Sequence, residues 1–120
     1  MEKQLSVSAA KQLIEFVFNT NYRLAPDGDG LFATKEEAIS FVESSEYNPC
    51  SPLNVCFDTK QGNYWDSVSA TFDGDIWEME DHSMGGAYAS GKSIEDALTN
   101  LREQCDLDDD FCPVELSINL

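Results

Sequence analysis

The spacing of apolar positions divides the chain into three helices and a set of short strands. Between Ser8 and about Asn19, the residues Ala10, Leu13, Ile14, Val17 and Phe18 recur at helical spacing and form one apolar stripe. Just before it, Leu5 and Val7 alternate with polar neighbours, which predicts a short strand. A second helix opens at Thr34, which makes a capping box with Glu37 and leads into a face of Ala38, Phe41 and Val42. A third has Ser93 as its cap and Asp96 at the third position, with Ile94, Ala97, Leu98, Leu101 and Cys105 along one side.

Alternation with a period of two fills most of the remainder. Leu53, Val55 and Phe57 alternate with Asn54, Cys56 and Asp58, and Val68, Ala70 and Phe72 alternate with Ser67, Ser69 and Thr71. Asp73-Gly74 then turns the chain into a run from Ile76 to Asp81, and Asp-Gly between two such runs signals a hairpin. Gly86 to Ser90 predicts a shorter strand. At the end, Val114, Leu116, Ile118 and Leu120 alternate with Glu115, Ser117 and Asn119 as a half-buried strand. The loops fall at Tyr22 to Phe32, Ser44 to Pro52, Lys60 to Asp66 and Asp106 to Pro113. This order predicts a single α+β domain over residues 1–120, an antiparallel meander of three to five strands with three helices on one or both faces.

Charge changes the picture. The chain has 23 acidic against 7 basic residues, a net charge of −16. A soluble domain needs a net charge of only about 2–8 to stay dispersed. The surplus must be held against its own repulsion, and it points to a partner with a positive surface. Aromatic residues such as Phe57, Phe72, Trp65, Trp77 and Tyr88 separate the chain from disordered acidic tails. The charge balance opposes direct binding of nucleic acid. No run reaches the roughly 18 apolar residues of a membrane span. Met1-Glu2-Lys3-Gln4 does not lead into a signal-peptide apolar region, so the expected compartment is the cytoplasm. Oligomeric state is not legible.

Three stretches hold acids with no base among them, from Glu36 to Thr59, from Gln61 to Gly91 and from Glu103 to the C-terminus. Two of these supply candidate partner-binding residues. In the hairpin they are Asp73, Asp75, Glu78, Glu80 and Asp81. Trp77 and Met79 take one strand face, while Ile76, Glu78 and Glu80 take the other. Side chains two apart on a strand lie about 6.6 Å from each other. A rigid row of this kind approaches the phosphate ladder of DNA, with one charge per roughly 3.4 Å of each strand. The second group is Asp106, Asp108, Asp109 and Asp110, where acids after a helix oppose its dipole and so suggest a use in binding. Trp65, with Tyr47, Tyr64 or Tyr88 where exposed, would supply anchors. The plainer alternative is an acidic, solvated surface that blocks edge-to-edge aggregation.

No catalytic or metal site, and no cofactor, is expected. His82 reads as a surface histidine in a turn, because sequence neighbours such as Ser83 rarely make a nucleophilic pair. Asp27-Gly28-Asp29-Gly30 suggests a calcium loop, but Phe32 and Ala38 stand where that loop needs Gly and Glu. Gly85-Gly86 lacks the spacing and lysine of a phosphate loop. Cys50 with Cys56, and Cys105 with Cys112, are spaced more widely than structural zinc ligand pairs, and they read as free thiols.

Two resemblances bear on function. Trp77-Glu78-Met79-Glu80 followed by Tyr88-Ala89-Ser90-Gly91-Lys92-Ser93 and the segment to Leu101 resembles the strand–turn–helix end of small phage-encoded α/β sandwich domains. In size and charge the chain is similar to phage anti-CRISPR proteins and other DNA-mimic inhibitors. That similarity implies a stoichiometric inhibitor of a basic protein, a nucleic-acid-binding enzyme or CRISPR effector of the host cell, and it carries over no site residue. An immunity protein neutralising a basic nuclease toxin uses the same physics. A soluble accessory domain, charged only for solubility, is the third alternative.

Overall fold

Ser6 starts the first helix: its hydroxyl accepts the Ala9 amide at 3.2 Å, a capping bond that offsets one of the unpaired first-turn donors. This helix is α1 (Val7–Thr20). Leu5 and Val7 therefore form no strand; Val7 opens the helix and the Leu5 amide bonds the Pro49 carbonyl at 2.9 Å. The computed structural model describes residues 4–20, 32, 34–51, 53–60, 62, 64–82 and 86–117, the side chain of Asp66 apart. Asp27-Gly28-Asp29-Gly30, Pro52, Ser83, Gly85, Ile118 and Leu120 lie outside the described residues.

The other two helices start where their caps predict. Thr34 accepts from the Glu37 amide to open α2 (Lys35–Glu43), and Ser93 accepts from the Asp96 amide to open α3 (Ile94–Gln104). The strands are β1 (Asn54–Asp58), β2 (Trp65–Phe72), β3 (Trp77–Asp81), β4 (Tyr88–Gly91) and β5 (Cys112–Ser117). They form one sheet in the order β4-β3-β2-β1-β5, antiparallel throughout. The chain meanders from β1 to β4, and α3 then returns it across the sheet to the far edge. The result is a single compact α+β domain.

One face of the sheet is sealed. Val55, Val68, Ala70, Met79 and Leu116 point into a core shared with Leu13, Ile14 and Val17 of α1 and with Ala97, Leu98 and Leu101 of α3. Helix α1 covers β5 and β2, α3 covers β4 and β3, and α2 packs on α1. Each fully buried aliphatic or aromatic side chain of this kind stabilises by about 1.5–3 kcal/mol.

Two register irregularities depart from the simple alternation. Between β1 and β2 the pairing shifts between Val55 and Phe57, which sets Trp65 opposite Phe57. Trp65 thereby packs edge-on against Phe111, ring centroids 4.8 Å apart, and Phe111 stacks on Phe57 at 5.1 Å. This aromatic stack draws Trp65 into β2, which begins within the expected loop. Between β1 and β5 a second shift at Cys56–Phe57 moves Val114 away from the Leu116 side, into a small cluster with Cys56 and Cys112. The strand expected to be half-buried is buried along all 6 residues.

Gly91 brings the end of β4 close to the start of α3. It faces Trp77 in the register, and a Cβ there would stand 2.5 Å from the Ala97 amide nitrogen and 2.7 Å from Asp96. Only a residue without a side chain lets the first turns of α3 settle on the end of β4. Gly91→Ala should therefore destabilise the fold by about 1–3 kcal/mol through overpacking. The expected readout is a lower urea midpoint with an unchanged transition slope.

Candidate acidic binding surface

Because side chains alternate along strands, the second face of the sheet collects what the core leaves out. On β2, β3 and β4 this face carries Ser69, Thr71, Glu78, Glu80, Tyr88 and Ser90, joined by the register pairs Thr71–Glu78, Ser69–Glu80, Glu78–Ser90 and Glu80–Tyr88. No described helix covers it, since the helices pack on the core side. Glu78, Glu80, Ser69 and Ser90 are half-buried and Tyr88 is exposed. The part on β1 and β5 is closed instead: Cys56, Glu115 and Ser117 are buried.

The expected row of Glu78 and Glu80 opposite Trp77 and Met79 is present. Asp81 does not join it. It is 4% exposed and faces the α3 side, paired in register with Val68. There its charge, together with partial burial as the larger cause, pushes the Cys105 thiol up and keeps it protonated.

Several acids are explained by the local backbone. At the hairpin turn, Asp73 Oδ1 accepts from the amides of Ile76 (2.8 Å) and Asp75 (2.9 Å), and Gly74 takes the left-handed φ of 102° that the turn requires. The bond from Ile76, then that from Asp75, holds the Asp73 carboxyl below the usual range. Asp106 sits just past α3 at φ 55°, with its own amide directed to Glu103 O (3.4 Å) and the Leu107 amide bonded to Arg102 O (2.8 Å). This is the Schellman end of a helix, whose left-handed residue is usually Gly, with Asn and Asp the usual exceptions. Asp110 Oδ2 accepts from the Lys60 amide at 2.8 Å.

Asp75, Asp108 and Asp109 are exposed. The loop carrying the latter two is fixed by Arg102, whose Nε donates to Phe111 O at 2.8 Å, and by the buried Phe111 ring. In the sheet register the Asp73–Asp75 turn lies at one end of β3, while β5 begins beside the end of β1 at the other. The acidic loop therefore lies at the opposite end from the turn, with Glu78 and Glu80 between. The ion pairs Lys11–Glu43 (2.5 Å) and Lys35–Glu15 (3.4 Å) belong to the helical layer.

Among the expected anchors, Trp65 is half-buried against Phe111 and Tyr47 is buried, its hydroxyl donating to Leu5 O at 2.5 Å. Burial pushes the Tyr47 hydroxyl up to about 12. Among the described residues the exposed tyrosines are Tyr64 (47%) and Tyr88 (41%). Tyr64 turns its hydroxyl inward; burial, then bonds to Cys56 and Glu115, push it up.

Ser69 and His82 share a hydrogen bond at 2.7 Å, a pairing across strands that sequence proximity to Ser83 did not suggest. The distance suits a nucleophile and its base. The surrounding amides of β2 and β3 point along the ladder in the plane of the sheet, so they do not face the pair as oxyanion donors. The bond fixes the exposed imidazole on the polar face. None of the four cysteines is joined in a disulfide. Among the described residues no group of three or more His, Cys, Asp or Glu side chains is placed to hold a metal ion, and no helix is long and apolar enough to cross a membrane.

Two variants test these local assignments. Because the folded Asp73 carboxyl titrates below its unfolded value of about 3.9, its stabilisation is complete above that pH and is lost as pH falls through the folded value. The wild type should exceed Asp73→Ala in urea midpoint at about pH 6, and the gap should close progressively below about pH 4. Asp106→Gly, which relieves a left-handed non-glycine residue, should raise stability by up to about 1 kcal/mol in the same measurement.

The chain matches no family model, no curated protein and no solved structure.

Proposed function

We propose that this chain is a non-catalytic acidic protein that binds a basic protein surface and blocks it against nucleic acid. It would act as anti-CRISPR and other DNA-mimicking phage inhibitors act on nucleic-acid-binding proteins of the host. The observation that carries this reading is the disposition of Glu78 and Glu80 on the sheet face that no described helix covers, flanked by exposed Asp75 at one end and Asp108 and Asp109 at the other. Fixed carboxylates spaced along a strand offer a basic groove an alternative to phosphates without any reorganisation of the inhibitor. A net charge of −16 adds long-range steering of a cationic partner, which accelerates association and makes it sensitive to salt. Backbone roles account for Asp73, Asp106 and Asp110, so the binding acids on this reading are Asp75, Glu78, Glu80, Asp108 and Asp109.

The test is affinity purification from bacterial lysate at low and high salt, followed by competition. A partner captured at about 0.1 M salt should be lost near 1 M, where the Debye length falls from about 10 Å to about 3 Å. The protein should then displace labelled DNA or guide RNA from that partner. Reversal of Glu78, Glu80, Asp108 and Asp109 to Lys should abolish the displacement while leaving the circular dichroism spectrum intact. Full displacement by the folded fourfold variant would sink the proposal.

A further inference from the structure

Tyr64 and Tyr88, exposed among the described residues, each donate a hydrogen bond to a glutamate, with different consequences. Tyr64 donates to Glu115 Oε1 at 2.7 Å, and Glu115 is only 3% exposed, so this pair closes over its carboxylate. Tyr88 donates to Glu78 Oε1 on the uncovered part of the sheet, where Glu78 remains reachable from solvent. In the register Tyr88 stands directly opposite Glu80. The Tyr88 ring therefore rises from edge strand β4 between two carboxylates about 6.6 Å apart along β3. The bond to Glu78 fixes both the ring and that carboxylate before any partner arrives. Hydroxyls of Ser69 and Ser90 lie alongside, and His82 is held to Ser69.

We propose that this uncovered part of the sheet, centred on Tyr88, Glu78 and Glu80, is where the basic partner docks, and that the partner presents arginine to it. The inference rests on the functional reading above and names its contact surface and chemistry. Charge complementarity selects the occupant. A second copy of the chain would bring the same glutamates and another net −16 against this face, and phosphate polymers and anionic lipid would be repelled likewise. Arginine is favoured over lysine by geometry. A planar guanidinium can stack on the exposed phenol ring and direct its fork of donors to the adjoining carboxylates, whereas an ammonium is a compact, strongly hydrated point charge.

Labelled nona-arginine and nona-lysine peptides, titrated at low salt and followed by fluorescence anisotropy, test this directly. Nona-arginine should bind about 2–5-fold tighter than nona-lysine, the worth of an exposed cation–π contact. Glu78→Gln with Glu80→Gln should weaken nona-arginine by about 10-fold, against about 2-fold at most for the equally charged control Glu46→Gln with Glu103→Gln, two exposed carboxylates outside the proposed surface. Tyr88→Leu should erase the preference for arginine, and Tyr88→Phe, which keeps the ring and serves as the conservative check on folding, should retain it. Equal losses from the two neutralised pairs, or an arginine preference that survives Tyr88→Leu, overturn the docking surface and leave the acidic-binder reading standing. Failure of the wild type to bind either peptide at low salt removes that reading, and this inference with it.

Discussion

Apolar burial between the sheet and the helices α1 and α3 has to outweigh the mutual repulsion of a chain that carries a net charge of −16. Repulsion among exposed charges is spread over the surface and weakened by salt, whereas burial is concentrated and short-ranged. The fold answers by putting its core on one side of a single sheet. Trp77 and Met79 enter that core while Glu78 and Glu80, their immediate neighbours in sequence, are turned to the opposite side. The acidic surface is thus the reverse of the same strand that builds the core, and its rigidity comes from there.

The closed end of the sheet depends on aromatic packing. Phe111, fully buried, stacks on Phe57 and meets the edge of Trp65, and its carbonyl is held by Arg102 from the last turn of α3. That arrangement anchors the loop between α3 and β5 at its far end, while the Schellman bonds of Asp106 and Leu107 hold its near end. Asp108 and Asp109 are presented from a segment fixed on both sides. A loop so tied would lose less conformational freedom on meeting a partner of the kind proposed.

Sorting the acids by their partners changes what the charge means. Asp73 and Asp106 satisfy backbone geometry, Asp110 accepts an amide from the neighbouring loop, and Asp81 is turned to the helical side. Glu78 and Glu80 lie on the sheet face that no described helix covers, and Asp75, Asp108 and Asp109 are exposed at the two ends of the sheet. The proposed function rests on this smaller set; of the expected anchors Tyr64 and Tyr88 are exposed, while Trp65 is half-buried and Tyr47 buried.

Helix starts were legible in the sequence because a cap acts over three residues: Thr34, Ser93 and their amide partners lie close along the chain. The alternation in β3 likewise assigned Glu78 and Glu80 to one face, since a strand's period of two is a local property. What no local pattern could reveal was pairing across strands. The shifts at β1 turned Trp65 toward Phe111 and Val114 away from Leu116, and they arise only when three strands meet. The contacts Tyr88–Glu78 and Ser69–His82 join residues 10 and 13 positions apart and depend on the register. Composition and periodicity determined by themselves that this would be a folded α+β domain with an acidic strand face. The tertiary structure decided which side of the sheet the described helices leave uncovered, which acids the backbone uses, and that Tyr88 stands beside Glu78 and Glu80, because burial and register are set by contacts between distant segments.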